Sequence, residues 1–164
     1  MGVVLVVAIV ILAVVAIAAL AFGPMLNKKG DAAVARCKEA LGADQIRLIE
    51  PKANGFGTEP ATAGGLRGMG CLAMSDSDLM FVTWAPQKEF RVARSAITKV
   101  TTSADDLTGV QKAMVMVTYT GDGGSEVTAS WRLTDLVEWL TALGYDFGPD
   151  GPPTDTSVDA DEDD

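Results

Sequence analysis

Residues Val3–Phe22 form an unbroken run of twenty apolar side chains, VVLVVAIVILAVVAIAALAF. At 1.5 Å of helical rise per residue such a run spans about 30 Å, the thickness of the bilayer hydrocarbon. In lipid every backbone amide must be bonded within the segment. A helix is therefore enforced, although Val and Ile are middling helix formers in water. Gly23-Pro24 breaks the pattern at the expected exit,. No Asp, Glu, Lys or Arg interrupts the run, and its line of small residues, Ala13, Ala16 and Ala19, holds no G-x-x-x-G. This predicts a plain lipid-facing anchor rather than an ion path or a helix-pairing face. Ala19-Leu20-Ala21 resembles a cleavage site, but a signal peptide would need a basic start and a shorter apolar core,. Myristoylation at Gly2 is disfavoured, since Val6 stands where Ser or Thr is wanted,.

No basic residue precedes the run, whereas Lys28, Lys29, Arg36 and Lys38 follow it closely. Basic flanks stay on the cytoplasmic side, so Lys28 and Lys29 act as topology determinants. The expected placement is a single pass through a bacterial cytoplasmic membrane, with the N-terminus outside and the remainder in the cytosol.

The 164 residues carry a net charge of −9 very unevenly. Residues 1–27 have no charged side chain, residues 28–148 have 13 basic and 15 acidic ones, and residues 149–164 have seven acids and no base. The chain divides into an anchor (1–27), a juxtamembrane spacer helix (28–44), one domain (45–148) and an acidic tail (149–164). The tail is Pro- and Gly-led and lacks aromatics, so it is expected to be disordered, a solubilising segment or a docking tail for a basic partner,.

The composition contains no histidine, which excludes Ser-His-Asp and Cys-His nucleophile systems, a histidine base and a histidine metal site,. Cys37 and Cys71 are too few for a disulfide framework and too far apart in sequence for a C-x-x-C pair,. In a reducing cytosol they are expected as free, buried, small hydrophobes. The acidic balance argues against a nucleic-acid partner.

Within the domain region, DAAVARCKEALGA (31–43) predicts a short helix with Asp31 as N-cap, Gly42 as stop and Val34, Cys37 and Leu41 on one stripe,. A short strand is expected at 46–51, then an irregular or edge segment at 52–67, rich in Gly, Ala and Pro,. Met69–Met74 and Leu79–Trp84 read as a hairpin about Ser75-Asp76-Ser77-Asp78,. Glu89–Val92 alternates Phe90 and Val92 against Glu89 and Arg91, and Ile97 with Val100 marks a further strand,. A polar loop then leads to a second hairpin, AMVMVTYT and SEVTASWR about Gly121–Gly124,. A helix from about Thr134 to Leu143 closes the domain, its stripe Leu133, Leu136, Val137, Leu140 and Leu143, with Gly144 just beyond,. The predicted class is α+β, mainly β: a strongly bent antiparallel sheet or barrel capped by a C-terminal helix.

The stretch LRGMGCLAMSDSDLMFVTWAPQKEFRVARSAITKV (66–100) resembles the GRAM and bacterial PH-like domains. Gly70, Leu72, Leu79, Phe81, Phe90, Ile97 and Val100 stand where that family places its Gly-led, "L-x-F", charged-aromatic and Ile-x-x-Val strands. Extended through Trp131 and the last helix, the resemblance covers about residues 45–145. It implies a PH-like module, a binding or assembly platform without an active site.

A phosphoinositide site of that family would need converging Lys and Arg at the first strand–strand loop, which the reading assigns to acidic Ser75–Asp78. Lys88, Arg91 and Arg94, with Lys99, are the nearest basic group and the lipid-binding candidates, otherwise a solvated strand face,. The pairs Asp76/Asp78 and Asp105/Asp106 sit in turn-like sequence and lack Ca²⁺-loop spacing, so no metal or catalytic dyad is expected,. Glycines 55, 57, 64, 65, 68 and 70 match no phosphate-binding pattern and are read as bulges and turns,. Trp139, off the predicted stripe, is the candidate partner-binding anchor, set against a rim-packing role,.

The expected function is that of a membrane-anchored interaction module, a scaffold or accessory subunit of a membrane assembly. It is expected to be no enzyme and to have no cofactor, nucleic-acid partner or small-molecule substrate. A lipid-head-group-binding domain is the alternative, and a small-ligand carrier using the barrel mouth a weaker one.

Overall fold

The computed structural model describes residues 28–61, 66–103, 113–149 and 151. The apolar run, nearly all of the acidic tail, Gly64, Gly65, Asp105 and Asp106 lie outside the described residues. Among the described residues no helix is long and apolar enough to cross a membrane.

The first helix, α1, covers residues 28–41. It already includes Lys28 and Lys29, so Asp31 lies inside it and is not its cap, correcting the expected start. Gly30 lets the helix approach the sheet, since a Cβ there would meet the Trp84 ring at 3.3 Å. Gly42 ends it at φ +84°, a left-handed conformation that suits glycine, with its N–H on the Lys38 carbonyl at 3.0 Å,. The buried stripe is Ala33, Cys37 and Leu41, at helical spacing,.

Seven antiparallel strands follow: β1 (Ile46–Glu59), β2 (Arg67–Ser75), β3 (Asp78–Thr83), β4 (Glu89–Ala93), β5 (Ile97–Thr102), β6 (Val115–Thr120) and β7 (Glu126–Arg132). They form one sheet in the order β4-β3-β2-β1-β7-β6-β5, and the helix α2 (Leu136–Leu143) ends the fold. The domain is thus mainly β with two helices, and both predicted hairpins are present as β2–β3 and β6–β7.

The segment expected to be irregular proves to be the second half of β1, a central strand bonded to β2 on one side and β7 on the other. Register shifts between Glu50 and Ala53, around Pro51, and between Gly55 and Gly57 let this 14-residue strand bend,. Pairing on both edges overrides the weak strand propensity of its Gly and Asn residues. The first strand–strand connection therefore spans residues 60–66, and Ser75–Asp78 is the second. Gly55 and Gly70 serve close packing: a Cβ on Gly55 would lie 2.9 Å from the Phe81 ring, and on Gly70 2.6 Å from it,.

The inner face of the sheet holds the main core, where Phe81 meets Trp131 edge to face at 6.0 Å beside Leu72, Met74 and Leu79,. Helix α2 adds Leu136, Trp139 and Leu140 to it. Asp135 caps α2 by accepting from the Glu138 N–H at 3.0 Å,. Outside the sheet, α1 covers Cys71 and Ala73 of β2 and Met80 and Val82 of β3. Burial on both faces explains why β3 reads as a continuous apolar run rather than an alternation,.

Candidate functional site

Strands β4 and β5 are the two ends of the sheet order. Two hydrogen bonds bracket β4 on its β3 side: Thr83 donates its N–H to the Lys88 carbonyl at 3.0 Å, and Arg94 donates its own to the Ser77 carbonyl at 2.8 Å. In an antiparallel ladder the bonding direction alternates along the strand. With Lys88 and Arg94 directed at β3, so are Phe90 and Val92, and the main-chain groups of Glu89, Arg91 and Ala93 face away. Among the described residues no second strand pairs with this outer edge.

The edge looks onto an open groove of about 670 Å³, within the range of natural ligand and peptide clefts,. One wall is β4 with Ala96; the other is the tip of the β6–β7 hairpin, Thr120, Gly121, Ser125 and Val127, with Pro60. At the base of the gap, rings rather than a ladder join the two halves of the sheet: Phe90 lies 5.5 Å from Tyr119 and 5.8 Å from Trp131. The groove thus combines the apolar side chains of Phe90, Val92 and Val127 and the polar hairpin tip with a row of backbone donors and acceptors to which no strand among the described residues pairs.

Charges at its rim are already engaged. Arg91 donates two hydrogen bonds to the Asp78 carboxylate, at 3.0 and 2.9 Å, and these hold that carboxyl below the usual carboxylate range,. Glu89 accepts from Arg36 of α1. Arg94 is half-buried and donates to the Ala142 carbonyl at the end of α2 at 3.0 Å, with a longer bond to the Ser75 carbonyl at 3.5 Å. Lys88 is exposed in the turn before β4. The expected solvated face therefore splits: Arg91 ties β4 to β3 and Arg94 ties the sheet to α2, both reaching the Ser75–Asp78 turn, while Lys88 stands at the other end of β4. The turn acids are likewise used internally, Asp76 accepting from Arg47 at 2.8 and 2.9 Å. Among the described residues no cluster of acids and cysteines is arranged to hold a metal ion.

Trp139 requires a correction. It is only 2% exposed and belongs to the main core, so it is unavailable as a surface anchor. The helix turns Trp139 toward the sheet and leaves Val137 half-exposed, rotating the buried stripe from the one predicted. The inner face of the sheet is filled by Phe81, Trp131, Leu72 and Trp139.

The β4 groove was not foreseen from the sequence. Its one local signal is the alternation of Glu89–Val92 in a strand of five residues; that this strand ends the sheet depends on pairings between distant segments. Comparisons with protein-family models, with curated proteins and with solved structures found no match to this chain.

Proposed function

We propose that the chain is a single-pass, cytosol-facing membrane protein whose PH-like domain serves as an interaction module, a scaffold or accessory subunit of a membrane assembly. Its contact site is the β4 groove, and its partner is a protein segment that docks in extended form. The observation that carries this reading is the outward row of main-chain groups at Glu89, Arg91 and Ala93 beside a cleft of mixed polar and apolar lining, the arrangement that β-strand addition uses,. The antiparallel sheet followed by a terminal helix is the mainly β architecture that this reading expects of the domain. The apolar run and the lysines at its end support the anchor and its orientation,. The engagement of Arg91 and Arg94 by internal partners favours a protein ligand over a lipid head group.

Arg91→Pro separates the two. Its N–H points away from β3, so the substitution deletes one docking donor and leaves the ladder to β3 in place, as edge strands tolerate. Arg91→Ala controls for the lost ion pair with Asp78. In mild-detergent purifications compared by quantitative mass spectrometry, a partner recovered with the wild type and Arg91→Ala should fall at least about tenfold with Arg91→Pro. Equal losses in both variants, or anionic-lipid flotation abolished by Arg91→Ala, would favour the charged-surface alternative.

A further inference from the structure

The chain has two cysteines, 34 positions apart, and the fold brings them into one buried cluster between α1 and β2. Both are free and 0% exposed. The Cys37 thiol donates to the main-chain carbonyl of Cys71 at 3.8 Å, and the Cys71 thiol to that of Leu72 at 4.0 Å. Their neighbours include the small or pliable Ala33, Ala73 and Met80, so α1 and β2 meet closely at the two cysteines. Such contact is what a disulfide requires of two elements before the sulfurs close to bonding distance.

We propose that Cys37 and Cys71 are a redox modification site, forming a reversible intramolecular disulfide under peroxide that staples α1 to the sheet. The Cys37 thiolate attacks the O–O bond of hydrogen peroxide; an S–O bond forms, the O–O bond breaks, and the departing hydroxide leaves as water with the thiol proton. Cys71 then attacks the sulfenic sulfur; the S–S bond forms, the S–O bond breaks, and its proton leaves with the second water. Two electrons pass from the thiols to peroxide, and two thiols with one peroxide give one disulfide and two waters. The adjacency of Cys71 makes capture of the sulfenic acid intramolecular, ahead of over-oxidation. The reduced pair is quiescent, because both thiols are fully buried and closed to peroxide,. Peroxide reaches Cys37 when α1 lifts from the sheet, to which its buried stripe and the Arg36–Glu89 ion pair hold it, and the S–S bond closes as the helix returns,. Because α1 is the first element after the apolar run, the staple locks the domain to its anchor-proximal helix. This inference is independent of the β4 groove.

The full-length chain in detergent, treated with millimolar hydrogen peroxide, tests it. Non-reducing peptide mass mapping should show one Cys37–Cys71 cross-link lighter by two hydrogens, with both thiols lost to titration in denaturant and restored by dithiothreitol. The Tm should rise by about 5 °C or more, since the cross-link closes a loop of more than 30 residues. Cys71→Ser should leave Cys37 as a dimedone-trappable sulfenic acid with no rise in Tm. If that variant does not fold, wild-type mapping decides alone. Intermolecular dimers only, sulfinic or sulfonic products without the cross-link, or two thiols untouched until the protein unfolds would each overturn the proposal.

Discussion

Trp139→Ala is expected to lower the stability of the domain by about 3–5 kcal/mol. The indole is 2% exposed and packs with Leu136 and Leu140 at the junction of α2 and the inner sheet face. Truncation would leave a void that the surrounding helix and strands cannot fill, so the cavity adds to the lost transfer free energy. Set against the roughly 5–15 kcal/mol that separates folded from unfolded domains, the loss removes a large part of the total. Urea denaturation of the full-length chain in detergent, followed by near-UV circular dichroism, should show the midpoint fall steeply. An unchanged midpoint would return Trp139 to the surface.

Gly70→Ala is the second large effect, expected at about 3 kcal/mol. The added Cβ would stand 2.5 Å from the Val82 carbonyl oxygen and 2.6 Å from two atoms of the Phe81 ring. Neither neighbour can yield, because the carbonyl belongs to the β3 backbone and Phe81 is fully buried against Trp131. Overpacking here would push β2 from β3 at the open end of the first hairpin. The same urea titration reads it, and a loss below about 0.5 kcal/mol would mean that the ring is free to move.

How much of this was legible in the sequence depended on whether local pattern or distant pairing decided each element. The two hairpins were plain because Ser75–Asp78 and Gly121–Gly124 are turn-forming runs between apolar segments, a signal confined to a few residues,. The second half of β1 was hidden because Gly55 and Gly57 look like breakers until Phe81 and the flanking strands are in place. Trp139 was misplaced by a choice between two residues flanking the same stripe: Leu136, Leu140 and Leu143 accept either Val137 or Trp139 as the border, and the sheet selects the larger side chain. The basic residues were read as a solvated face because Asp78 and the Ala142 carbonyl, their partners, lie 13 and 48 positions away from Arg91 and Arg94. The groove itself exists only once β4 is the last strand of the sheet, which no single segment encodes.

As a protein-docking edge, β4 should contact its partner directly. A photo-crosslinking amino acid placed at Ala93, whose main chain faces the groove, tests it in native membranes, with Lys52 on the exposed bend of β1 as the comparison site. Irradiation should yield a discrete protein adduct from position 93 and not from position 52. Adducts to lipid alone, or the same adduct from both positions, would contradict the claim.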